Sequence, residues 1–174
     1  MLRRFKLFNR NQAGFSVVEV IATVIIIGLI GLVATMAIVQ LVTQTSKNND
    51  FTTASRQTLN AMYWISRDAY MAQKIEPDGG GSGFPLILTW REWDDTSHTV
   101  NYTVENNRLT RSYSINGSEP RFTSVAEYIS QETQMTNCAS DNGVLTLTIT
   151  SSVGTGAHTI NVTKIRSIAS RPNI

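Results

Sequence analysis

Charge is scarce in this chain. Only 16% of its 174 residues are Asp, Glu, Lys or Arg, against about 25% in an ordinary soluble domain. Thr, Ser and Asn take their place, which favours a strand-rich surface of neutral polarity. The net charge of +2 is small, and part of it sits in the first ten residues, so a nucleic-acid partner is not expected. Cysteine is scarcer still. Cys138 stands alone, which excludes an intramolecular disulfide and makes packing its expected role. Proline is missing from Phe15 to Glu76, so nothing there breaks a helix as proline does. No internal repeat of solenoid type is present.

Combinations of reactive side chains are equally sparse. His98 and His158 lie far apart, with no Cys, His or Asp at ligand spacing, so no metal site is expected. Asp94-Asp95 and Asp141-Asn142 do not match a calcium-binding loop and read as turns. The glycines between Pro77 and Gly83 lack the Lys-Ser or Lys-Thr of a phosphate loop and follow a helix instead of opening one. With no nucleophile-elbow sequence either, no catalytic residue, cofactor or enzymatic activity is expected.

What the chain does have begins with a basic segment, Arg3, Arg4, Lys6 and Arg10, and then an apolar run from Val20 to Val39. About twenty residues at 1.5 Å each cover the roughly 30 Å hydrocarbon core of a bilayer. The basic residues all precede the run, so the positive-inside rule places them in the cytoplasm and the remainder of the chain outside. A cleavable secretory signal has a shorter apolar core, about 7 to 15 residues, and no acid within it. A retained span fits better.

Glu19 is the anomaly of this run. Ser16-Val17-Val18-Glu19 matches the S-x-x-E capping box of a helix start, and a carboxylate there complements the helix dipole. An acid at membrane depth nevertheless costs on the order of 2.5 to 3.5 kcal/mol, so a cation is expected beside it. A cut after Gly14 would create one, the new α-amino group of Phe15, about one helical turn from Glu19 or next to it on a neighbour. Glycine at the cut also allows close backbone approach by a peptidase.

The basic leader, Gly14, Phe15, Ser16-Val17-Val18-Glu19 and the apolar helix together resemble the class III signal of type IV pilins and type II secretion pseudopilins, over roughly residues 1 to 45. That resemblance implies cleavage by prepilin peptidase between Gly14 and Phe15, N-methylation of Phe15, and Glu19 as an assembly contact with a neighbouring subunit. It implies an inner-membrane assembly machinery and other pilin or pseudopilin subunits as partners. Major pilins commonly have a proline in this helix. Its absence here points towards a minor subunit, and Leu88-Thr89-Trp90, Val100 to Val104 and Asn107 to Arg111 look like minor pseudopilin J and the minor pilin W group.

The expected plan is a leader at 1-14, a transmembrane and assembly helix at 15-42, and a soluble half of the same helix at 43-76. A Gly-rich connector at 77-85 then leads into a β-rich domain at 86-174. Apolar spacing at Phe51, Leu59, Met62, Ile65, Ala69 and Ala72 predicts the helix to about Lys74 and gives it one buried stripe. Tyr63, Trp64 and Tyr70 read as packing. Strands are predicted at Leu86 to Trp93, His98 to Val104, Arg108 to Ile115, Val144 to Thr150 and His158 to Ile165, with Phe122 to Gln131 open between strand and helix. Arg111 falls on an apolar strand face and calls for a carboxylate, Glu92 or Glu105. The fold class is α+β, one long helix packed against an antiparallel β-meander. The rival to a filament subunit is a signal-anchored, outward-facing binding domain. In competence such a domain would hold DNA through Arg108, Arg121, Lys164, Arg166 and Arg171 near Tyr102 or Phe122.

Overall fold

The computed structural model describes Gly14, residues 16–77 and residues 82–171. The chain is helical from Val17 to Met71 (α1). The absence of proline and the run of good helix formers permit this length, and the Ser16 carbonyl starts the ladder, accepting from the Glu19 and Val20 N–H groups at 3.0 and 3.2 Å. At the other end Ala72 N–H still reaches the Asp68 carbonyl at 3.1 Å, but Gln73 N–H donates to Thr89 at 2.9 Å. The backbone leaves helix for sheet at that point. The expected helix end at Lys74, and the soluble half drawn to residue 76, therefore run too far. Lys74–Pro77 is a strand (β1), because non-local pairing from Lys74↔Thr89 to Pro77↔Leu86 decides its conformation. Packing divides the chain into two compact units, with the division between Gln44 and Thr45.

In the second unit, β1 joins β2 (Leu86–Arg91), β3 (Ser97–Glu105), β4 (Arg108–Ile115) and β5 (Arg121–Glu127) in one antiparallel sheet, in chain order. The open stretch after Phe122 is thus largely strand. Asn106 and Asn107, both at positive φ, close the β3–β4 hairpin. The expected single meander stops at β5. There Tyr128 takes φ 61°, Ile129 N–H donates to Asn107 and Ser130 N–H to Thr150, each at 2.9 Å. These bonds carry the chain across to a second sheet of β6 (Asn137–Asp141), β7 (Val144–Val153) and β8 (Ile160–Ala169). His158, expected to open the last strand, sits in a 3-10 turn at Gly156–His158.

One core joins α1 to both sheets. Ala61, Met62, Ile65 and Ala69 of α1 meet Leu88, Val100 and Leu109 of the larger sheet and Leu145, Leu147 and Ile149 of the smaller. The predicted stripe is right in period and partly wrong in membership. Phe51 and Leu59 are 55% and 53% exposed, whereas Ala54, Thr58 and Ala61 are fully buried. Small side chains let helix and sheet approach closely, so the buried face is not the one with the largest apolar residues. Cys138 is buried as packing, its Sγ donating to the Gly83 carbonyl at 2.8 Å.

Candidate functional site

Between Val17 and Val42 every large apolar side chain of α1 is more than half exposed, among them Ile21, Ile25, Ile30, Val33 and Ile38. Covering an aliphatic side chain of this size is worth about 1.5 to 3 kcal/mol, so a whole segment of them exposed together is stabilised by any apolar surroundings that cover it. The helix is long and apolar enough to cross a membrane. Its few hydroxyls suit that setting, because Thr23 donates to the Glu19 carbonyl at 2.7 Å and Thr35 to the Gly31 carbonyl at 2.9 Å. No hydroxyl proton of these two is left for water.

Glu19 lies in the first turn of α1, three residues after Ser16 and exposed. Gly14 precedes the helix, is exposed, and would meet nothing within 4 Å if it had a Cβ. Among the described residues neither is packed against a neighbour. Gly28 and Gly31 are open in the same way. Phe15, the expected N-methylation site on the far side of the cut, and the leader residues 1–13 lie outside the described residues.

A second polar constellation, which sequence reasoning missed, holds α1 to the larger sheet. Asp68, fully buried on the inner face of α1, accepts from Tyr102 Oη and from Arg111 Nε, both at 2.6 Å, through its Oδ2. Its Oδ1 accepts from Arg67 at 3.2 Å. The Arg67 and Arg111 guanidinium carbons lie 4.2 and 5.5 Å from the Trp64 ring centroid, which adds cation–π attraction from an exposed Arg67 and a buried Arg111. Beside them, the His98 and Tyr113 rings lie nearly parallel to Trp90, their centroids 5.1 and 6.3 Å from it, with His98 Nδ1 2.7 Å from Tyr113 Oη.

Asp68 therefore replaces Glu92 and Glu105 as the partner expected for Arg111. Register pairs Arg111 with Tyr102 on the face that meets α1, while Glu105 is exposed at its strand end and Glu92 stands 3.3 Å from His98 Nε2. The signal was an acid within the buried stripe, between Ile65 and Ala69. Tyr102, a stacking surface for DNA under the rival reading, is fully buried. Asp94 is a turn residue, its Oδ1 accepting from Thr96 N–H at 3.0 Å, and that hydrogen bond lowers its pKa. Among the described residues no group of three or more His, Cys, Asp or Glu could hold a metal ion.

No family model, curated protein or solved structure matches this chain. Its own geometry must carry the functional reading.

Burial and then the Asp68 charge push the Tyr102 phenol well above its usual range. For Arg111, burial is the largest single effect and opposes the charge, but the Asp68 hydrogen bond and the Asp68 charge, with Tyr102, together outweigh it and raise the pKa. These directions fix the sign for stability. A raised Tyr102 contributes stability that is fully present below about pH 10 and is lost as the pH climbs from there towards the folded-state value, because the unfolded chain ionises first. Tyr102→Phe should cost about 1 to 2 kcal/mol at pH 7, and the gap to the parent should narrow above about pH 10. Denaturant midpoints across that range measure it.

Proposed function

We propose that the chain is a type IV pilin-like subunit, a minor pilin or type II secretion pseudopilin, inserted as a precursor in the bacterial inner membrane. Its leader faces the cytoplasm and its C-terminal domain the outside. Prepilin peptidase cuts between Gly14 and Phe15 and methylates the Phe15 amine. The assembly machinery then transfers the subunit from the membrane into a pilus or pseudopilus, at its initiating end or tip.

The observation that carries this reading is α1 itself. From Val17 to Val42 its apolar residues stand exposed on every side, with Glu19 in the first turn and a separately folded unit beyond Gln44. A tether needs only an apolar span and gains nothing from an acid in its first turn. An acid beside exposed apolar side chains fits a segment that also packs against like helices. Van der Waals packing helped by the open Gly28 and Gly31 replaces lipid contact in that assembly. Glu19, paired with the Phe15 amine of a neighbour, sets the register and offsets the cost of its own burial.

Processing tests it. Co-expression with a prepilin peptidase should shorten the chain by the leader, and Gly14→Val should leave it full length. A parent chain that stays uncut beside an active peptidase would favour the anchored binding domain.

A further inference from the structure

Trp93 is 97% exposed, an unusual state for the side chain that buries most surface when covered. It sits on the β2–β3 turn between Glu92 and the pair Asp94-Asp95. Asp95 N–H donates to the Glu92 carbonyl at 3.1 Å and Glu92 N–H to Thr96 at 2.9 Å, so the turn is built. Asp95 lies 3.5 Å from Arg91 Nη1 and Glu92 3.3 Å from His98 Nε2, which leaves Asp94, next to the indole, as the acid of the turn that makes no ion pair among the described residues.

A groove of about 480 Å³ opens between α1 and β8 elsewhere on the same unit. Leu59, Tyr63 and Ile165 supply its apolar surface, at 53, 62 and 70% exposure, and Asn60, Lys164 and Arg166 its polar part. Thr58 Oγ1 donates to the Val162 carbonyl at 3.2 Å and Arg166 donates to Ser66 Oγ at 3.0 Å. These bonds hold helix and strand together and keep one cation at the rim.

We infer that the Trp93 turn of one copy seats in the α1–β8 groove of a second copy, its Asp94 against Lys164. An aromatic anchor in a basic-rimmed apolar groove matches both shape and charge. Phe122, also exposed at 72%, lacks this match because its neighbour is Arg121. The turn cannot fill its own groove. It is rooted at Gln73, whose Oε1 accepts from Arg91 N–H at 3.0 Å, just past the end of α1 at Met71, and the helical rise sets Met71 about 12 Å beyond Tyr63. Because knob and groove are different patches, the contact is head-to-tail and extends from copy to copy, as an open chain or, where the rotation closes, a ring. One indole and a groove cover far less than the roughly 1,200 Å² of a stable interface. The contact therefore rests on the subunit reading, in which N-terminal helices confined to one membrane or filament raise the effective concentration.

The test uses the full chain in lipid vesicles with Thr96→Cys on the turn and Asn60→Cys in the groove, joined by a short bis-maleimide; native Cys138 is buried. A ladder of dimers, trimers and larger species is expected, and Trp93→Ala should reduce it about tenfold. Asp94→Lys or Lys164→Asp alone should reduce it about threefold, and the two together should restore it. The Trp93, Asp94 and Lys164 side chains are exposed, so unchanged thermal unfolding identifies variants that have kept their fold. A ladder undiminished by Trp93→Ala, or dimers from Thr96→Cys alone, overturns the inference. If the ladder fails while the leader is still removed, this contact falls and the subunit reading stands; an uncut leader is a failure of that reading itself.

Discussion

Asp68→Ala should destabilise the folded unit by about 3 to 5 kcal/mol, the range for removing one partner of a buried ion pair. Asp68 is fully buried and Arg111 nearly so, and the 2.6 Å bonds from Tyr102 and Arg111 end on the same carboxylate oxygen. Without it a guanidinium and a phenol stay behind, desolvated and unpaired, and only the Trp64 and Tyr113 rings face the charge. Replacing both charges, as in Asp68→Leu with Arg111→Met, should cost much less, since a well-packed apolar pair is often neutral relative to a buried ion pair. Denaturant unfolding in detergent, monitored by tryptophan fluorescence, distinguishes the cases. A loss below 1 kcal/mol for Asp68→Ala would mean that water reaches Arg111 and that the network does not fix α1 on the sheet.

Glu19→Ala should leave processing intact and reduce filament incorporation by about a hundredfold or more, the equivalent of roughly 3 kcal/mol or above for an unpaired buried charge. The substitution removes the acid and leaves the Phe15 ammonium of a neighbour among aliphatic side chains. Glu19→Gln should fall nearly as far, because an amide can accept a hydrogen bond but supplies no opposite charge. Both variants should still enter the membrane, since α1 keeps its uncovered apolar length. Sheared filament fractions probed for the subunit give the ratio. Incorporation at the parent level would show that Glu19 is only a helix-start residue in the first turn, where its backbone already bonds to Ser16.

Much of the fold is legible in the sequence because its signals are local. The proline-free apolar run specifies α1, the alternation at Val100, Tyr102 and Val104 specifies β3, and Asn106-Asn107 marks the hairpin between β3 and β4. The elements that escape such a reading are set by distant pairing. Lys74 to Pro77 carries no sign of a strand until Leu86 to Thr89 lies alongside it. Asn137 to Asp141 has no strand signal of its own until β7 supplies its ladder. The second sheet escapes with it, because the switch at Tyr128 is a matter of backbone φ and of bonds to Asn107 and Thr150. Arg111 shows its need for an acid by its strand face, but the acid comes from the helix 43 positions earlier, onto which the sheet folds, and not from the neighbouring strands. The proposed signal at Gly14 and Glu19 rests on the sequence itself. Among the described residues both are exposed and Gly14 has no neighbour a Cβ would meet, so the fold adds no packing reason for either.

The central claim is that Gly14 and Glu19 are signals read by other proteins, and the mass of the mature chain tests it most directly. Purified from the membranes of a cell with an active prepilin peptidase, the protein should begin at Phe15 and carry one additional methyl group on its α-amine. Gly14→Val purified from the same cell should retain the leader. A parent chain recovered with its leader intact, or cut anywhere other than between Gly14 and Phe15, would contradict the account.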